Sequence, residues 1–183
     1  VTDLGGFAAS TFKRGIAFVN LPTTLLAMVD ASVGGKTGIN FMGLKNEIGA
    51  FCAPNAVLID SQFLATLDAR NLRSGYAEML KHALIAQPEK LHALLSFDLE
   101  QPHLTRLLPL IEASIAVKKR VVEQDAREQG LRKVLNFGHT MGHAFESFAM
   151  RRTPILHGYA VAYGMICELY LSHVKCGFPL REL

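Results

Sequence analysis

No stretch of this sequence approaches the roughly eighteen consecutive apolar residues of a membrane-spanning helix, and no basic start followed by a hydrophobic middle marks a targeting segment. Cysteine is scarce. Cys52, Cys167 and Cys176 show no Cys-x-x-Cys spacing, and they read as reduced, structural thiols of a cytoplasmic protein. Charge of one sign is also nearly balanced: 19 Lys and Arg stand against 16 Asp and Glu, with no lysine-arginine tract and no aromatic interleaving, which argues against nucleic-acid binding. A few focused lysines could still hold a small anion. Internal repeats and low-complexity tracts are missing, and so is an initiator Met. Val1-Thr2-Asp3 runs straight into Gly5-Gly6, as a piece of a longer protein would. What is present is half apolar residues and 19% charged ones over 183 residues, enough for one sizeable core or two small ones and incompatible with disorder.

Along the chain, residues 4–14 read as a helix ending at Arg14-Gly15, and Ile16–Leu21 as a buried strand before Pro22. Thr23 or Thr24 can cap a helix running to about Ala31. The run Gly34-Gly35-Lys36-Thr37-Gly38 resembles the end of a phosphate loop, but the first glycine of that motif would fall on Asp30, so the ATPase reading fails on spacing. What remains is glycine backbone that a ligand can approach, with Lys36 as a point charge. Ala56–Ile59 is a second strand candidate. From about Leu67 the pattern turns helical, over 71–86, 89–96, 103–124, 131–151 and 157–174, with breaks near Pro88, Pro102, Gly130 and Pro154. Pro109 falls near a helix start or kinks it. The expected fold is therefore a trailing α/β segment over residues 1–69 followed by a mainly α-helical domain over 70–183.

Chemistry concentrates in residues 136–158. His139 and His143 lie four apart, one turn apart on a helix face, where two imidazoles can converge on a metal or an anion; Glu146 continues that face. The zinc-protease signature places Glu directly after its first His, where this sequence has Thr140, so a helix with satisfied core histidines stays open. Glu78, Lys81 and His82 form a second set among apolar neighbours. A buried carboxylate there must be paired, protonated or metal-bound. It is either a simple pair with Lys81 or the third member of a two-His, one-carboxylate site with His139 and His157. If residues 131–151 are one helix, Arg132, Asn136, His139 and His143 share a stripe that is costly to bury without an anionic ligand.

These segments carry a resemblance. Leu21-Pro22-Thr23-Thr24-Leu25-Leu26 with Asp30, Ser32 to Gly38, Leu44-Lys45-Asn46 with Ile48 to Phe51, Ser74 to Lys81, Asp125 to Arg132, Asn136 to Glu146, and Leu156-His157-Gly158 with Gly164-Met165 are together similar to the 3-dehydroquinate synthase family of sugar-phosphate cyclases. The resemblance implies a chain about twice this long, with a nucleotide-binding region ahead and further helices behind, so that these 183 residues alone are not expected to turn over. It implies a divalent metal, Zn2+ with Co2+ possible, on Glu78, His139 and His157. It implies a substrate pocket of Lys36, Asn46, Lys81, Lys118, Arg132, Asn136 and His143, with Arg14 reaching the phosphate in the other subunit of a homodimer. NAD would touch Asp3, Thr23, Thr24, Leu26, Asp30, Lys45, Phe63, Thr66 and Leu67.

The implied activity is that of a carbon–oxygen lyase. It converts 3-deoxy-arabino-heptulosonate 7-phosphate to 3-dehydroquinate and phosphate in the shikimate pathway of aromatic amino acid biosynthesis, with the substrate phosphate itself a candidate base. Other sugar-phosphate cyclases, making 2-deoxy-scyllo-inosose or a valiolone, are the alternatives, as is an inactive isolated piece of the fold. A metal-dependent dehydrogenase of the glycerol dehydrogenase type fits the Gly-Gly-Lys-Thr-Gly and Lys45-Asn46 features poorly. Two positions depart from the family pattern: Tyr159 stands where Glu is usual, and Asn71 where a cofactor-side Glu is common.

Overall fold

A computed structural model describes residues 1–42, 44–150 and 152–182. The first helix, α1 (Thr2–Thr11), ends in a 3-10 turn, Phe12–Arg14, with Lys13 and Arg14 at positive φ. It is thus shorter than the expected 4–14 helix. Of the expected strand at 16–21 only β1 (Val19–Asn20) is paired, and it runs parallel to β4 (Ala56–Val57). Thr24 does act as a cap, its hydroxyl accepting from the Ala27 amide at 3.2 Å, but the turn over Ala27–Ala31 is a π-helix. Gly34 and Gly35 lead into an antiparallel hairpin of β2 (Lys36–Phe41) and β3 (Leu44–Phe51), with Gly38 opposite Gly49. Helix α1 lies against this hairpin.

The rest is helical. Helix α2 (Ala69–Ala86) is capped by the Asp68 carboxylate, which accepts from the Asn71 amide at 3.0 Å. Helices α3 (Pro88–Leu95), α4 (Leu104–Gln124), α5 (His139–Met150) and α6 (His157–Cys176) follow; Pro109 sits inside α4 near its start. No described helix is long and apolar enough to cross a membrane. The core gathers Leu25 just ahead of the π turn, Met28 and Val29 from it, Leu72, Tyr76, Met79 and Ala83 from α2, and Leu107 and Ile111 from α4. Leu72, Tyr76, Met79 and Ala83 recur every three or four residues, which turns one face of α2 onto α4 and the π turn. Helix α6 covers α2 as well, so the polar set Glu78, Lys81 and His82 is buried too.

Two features set the position of the histidines. The expected helix over 131–151 is broken: Leu131–Asn136 is a 3-10 turn, Gly138 takes φ +80, and α5 starts afresh at His139. Only glycine adopts that φ without strain, and the Gly138 amide donates to Glu168 Oε2 of α6 at 2.8 Å, which fixes the turn. Gly158 lets α6 press against α2: its amide donates to Ser74 Oγ at 3.0 Å, and a Cβ there would collide with the Ser74 carbonyl. Gly158→Ala is therefore expected to destabilise the chain by about 1–3 kcal/mol, as overpacking does. A thermal melt indistinguishable from that of the unsubstituted chain would contradict this account of the α2–α6 contact.

Candidate metal and substrate site

A cavity of about 330 Å³ opens between the π turn, the hairpin, α2, α4 and the start of α5 and α6. At its base Glu78 is fully buried. Its Oε2 accepts from Lys81 Nζ, one turn along α2. Its Oε1 has no hydrogen-bond partner among the described residues, yet it lies 3.8 Å from Nε2 of His139 and 3.8 Å from Nε2 of His157. That distance is too long for a hydrogen bond. It is close to the ~3.4 Å separating tetrahedral ligands held about 2.1 Å from one ion. All three ligand atoms lie within 4.8 Å of one another. Two imidazole nitrogens and a carboxylate oxygen that nothing else satisfies form a donor set suited to zinc or cobalt.

The loop between α4 and α5 supplies the next part. Asp125 accepts backbone amides from Gln129 at 2.9 Å, Gly130 at 2.8 Å and Arg132 at 3.0 Å, and these bonds hold its carboxyl below the usual range. The loop so formed aims Arg132 and Asn136 at the cavity, although they no longer share a helix with His139 and His143. The cost argued for burying Arg132 is also partly met within the chain. Its guanidinium donates to the Ala126 carbonyl at 2.7 Å and the Gly34 carbonyl at 3.0 Å, and burial pulls its pKa down.

Lys36, Lys45, Asn46, Lys81, Lys118, Arg132, Asn136, His139, His143 and His157 line the cavity, with Asp3, Leu26 and Asp30. Lys118 donates to both the carbonyl and Oδ1 of Asp30. Burial opposes ionisation of Asp30, but the adjacent Lys118 and the nearby Lys81 outweigh it and hold the carboxyl well below its ordinary value. Loss of solvent around its ring lowers the pKa of His143 despite the opposing Glu146. His139 is lowered by burial as well.

Arg14 lies on an exposed turn and does not line this cavity. Thr23, Thr24, Phe63, Thr66 and Leu67 also lie off its wall: Thr23, Phe63 and Thr66 are exposed, and Leu67 packs against the core. Asn71 bonds Asp68 at the start of α2.

Two carboxylates were not anticipated as site residues. Glu128, at φ 58, pairs with Lys36 and accepts from Asn136 Nδ2 at 2.6 Å. Glu146 accepts from Lys45 Nζ at 2.9 Å and lies 3.3 Å from His157 Nδ1; against the effect of burial, these partners pull its pKa down to about 2. Glu146 had a signal, its place on the histidine face. Glu128 had none beyond lying in the family-like stretch before Arg132.

A buried carboxylate flanked by two imidazoles, beside a cavity walled by lysines and arginine, is a donor set that could hold a metal ion next to a basic pocket. Sequence models of the 3-dehydroquinate synthase N-terminal and C-terminal regions match residues 1–74 and 75–182. A 3-dehydroquinate synthase of Parabacteroides distasonis is 58% identical over all of this chain, which covers 52% of that protein. One from Listeria welshimeri is 49% identical, again over the whole chain and 50% of the relative. The chain thus spans about half the length of these relatives.

Among solved structures, a 2-epi-5-epi-valiolone synthase from Streptomyces hygroscopicus with NAD+ and Zn2+ bound superposes with a TM-score of 0.83 at 36% identity. The match covers 96% of this chain and 49% of that one. A 2-deoxy-scyllo-inosose synthase complexed with carbaglucose-6-phosphate, NAD+ and Co2+ also reaches 0.83, at 29% identity, covering 92% and 47%. The chain belongs to the 3-dehydroquinate synthase family of sugar-phosphate cyclases.

The same buried network generates a pH prediction. His82 is fully buried, its Nδ1 is 2.7 Å from Ser114 Oγ, and burial together with Lys81 lowers its pKa to about 3. The folded chain refuses a proton that the unfolded chain accepts near its ordinary value of about 6.5. Stability from this group is complete above that pH and is lost as pH falls toward 3, by up to about 1.4 kcal/mol per pH unit. His82→Asn should remove roughly one proton from the pH dependence of unfolding near pH 5. Urea titrations with unchanged slopes would show that His82 is not the cause.

Proposed function

We propose that the protein this chain represents is a 3-dehydroquinate synthase, releasing phosphate from 3-deoxy-arabino-heptulosonate 7-phosphate and closing its carbocycle. The observation that carries the reading is the open Oε1 of Glu78 facing two imidazole nitrogens below a basic cavity. The 58% identity to a relative of that activity favours it over the other cyclases, which appear here at 36% and 29%.

Glu78, His139 and His157 would hold the metal. Asp3, Leu26, Asp30 and Lys45 would hold the part of NAD that enters the cavity, and Thr23, Thr24, Phe63, Thr66 and Leu67 the rest. When bound, the metal supplies a Lewis acid and NAD a reversible hydride acceptor. The chain's own residues do the remainder. Lys36, Lys81, Lys118 and Arg132 bind and orient the carboxylate and phosphate and stabilise negative charge as it develops on oxygen. Asn46 and Asn136 offer amide groups to hydroxyls. His143, on the cavity wall, accepts or returns a proton through a ring nitrogen. Arg14, on its exposed turn, would reach the phosphate in a second subunit of a homodimer.

Charge makes this reading testable. Among the described residues, five cations on the cavity wall face three carboxylates, Asp3, Asp30 and Glu128. Glu78 and Glu146 behind them raise the carboxylates to five and cancel the surplus. A divalent cation would restore it, so anion binding should depend on metal. The chain is expected to take up one equivalent of Zn2+, to lose it in Glu78→Ala, and to bind inorganic phosphate more tightly when loaded. In the full-length protein the product should be 3-dehydroquinate by NMR. Exclusive turnover of a sugar phosphate lacking a carboxylate would assign it to another cyclase, and metal binding unchanged in Glu78→Ala would remove the proposal's basis.

A further inference from the structure

We propose that Glu146 is a positioning residue that holds His157 in the tautomer a metal requires. This rests on the metal reading above. A metal accepts the lone pair of a neutral imidazole, so one ring nitrogen must be bare and the other must carry the hydrogen. His139 and His157 both turn Nε2 toward Glu78 Oε1. For His139 the matter is decided by backbone: Nδ1 lies 3.2 Å from the Phe137 carbonyl, which can only accept, so Nδ1 carries the hydrogen and Nε2 is bare. His157 begins α6, and no backbone carbonyl among the described residues bonds its Nδ1 in the same way. Its Nδ1 has two neighbours of opposite demand. Glu146 Oε1, at 3.3 Å, can only accept; Lys45 Nζ, at 3.5 Å, can only donate.

Glu146 settles this competition twice over. Its carboxylate is the nearer neighbour of Nδ1, and it also engages the ammonium, with Lys45 Nζ at 2.9 Å from Oε1 and 3.2 Å from Oε2. Nδ1–H therefore donates to Glu146, and Nε2 faces the metal position with its lone pair. Without Glu146 the ammonium is the remaining neighbour of Nδ1. It would donate to that nitrogen, place the hydrogen on Nε2 and point it at the ion. The role belongs to Glu146 because α5 carries it one turn beyond His143, on the side facing the start of α6.

The test is metal affinity of the chain, measured by competition with a chromogenic chelator and by the visible spectrum of the Co2+ form. Glu146→Ala should weaken Zn2+ by about 10- to 100-fold, the usual effect of losing such a partner. Glu146→Gln, whose amide oxygen can still accept from Nδ1, should recover part of it. Lys45→Met alone should bind normally, and adding it to Glu146→Ala should restore affinity, because the competing donor is gone. A merely structural effect of Glu146→Ala would not be reversed by removing Lys45.

Glu146→Ala binding as tightly as the unsubstituted chain, while Glu78→Ala does not bind, overturns this proposal and leaves the metal site standing. Equal binding by Glu78→Ala overturns the metal site itself. Loss of affinity in His143→Ala as large as in Glu146→Ala would make Glu146 a direct ligand, together with His143 and His157, and would also overturn the proposal.

Discussion

One carboxylate organises the site. Glu78 is buried on the middle helix, with one oxygen bound to Lys81 and the other turned toward two imidazoles that arrive from different elements. Desolvating that carboxylate is costly unless both oxygens are used, so the placement of α2 against α6 and of the turn before α5 is constrained by it. Gly158 and Gly138 are the means: one lets α6 approach α2, and the other turns the chain so that α5 begins at His139.

Around this centre the basic groups are already partnered within the chain. Lys36 meets Glu128, Lys45 meets Glu146, Lys118 meets Asp30, and Arg132 meets two backbone carbonyls. These bonds hold the side chains in place before any ligand enters, which lowers the ordering cost of binding. They also mean that an incoming anion competes with internal acceptors, and that the wall's charge depends on what Glu78 holds. A metal held by Glu78, as proposed, would join electrostatics and metal chemistry in one network.

The two candidate carboxylates that sequence reading passed over show where such reading stops. Glu146 could be placed on the face of His139 and His143 from spacing alone, yet its partners, His157 and Lys45, are eleven and about a hundred residues away. Glu128 meets Lys36 from a loop whose course is set by three amides converging on Asp125. Neither contact has a local signature. The hairpin was hidden similarly: Gly38 and Gly49 resemble loop signals, and the pairing that places them in strands is between segments, not within one.

Periodicity along the chain determined the helical character of the second half and the one-turn spacing of His139 and His143, because helix faces follow from local repeat alone. Tertiary structure decided the rest. It ended the supposed helix over 131–151 at a glycine turn, brought Glu78 to His139 and His157, and set a carboxylate and an ammonium against one imidazole nitrogen. Those outcomes depend on which faces of α2, α5 and α6 press together, and packing between elements far apart in sequence leaves no periodic trace in any one of them.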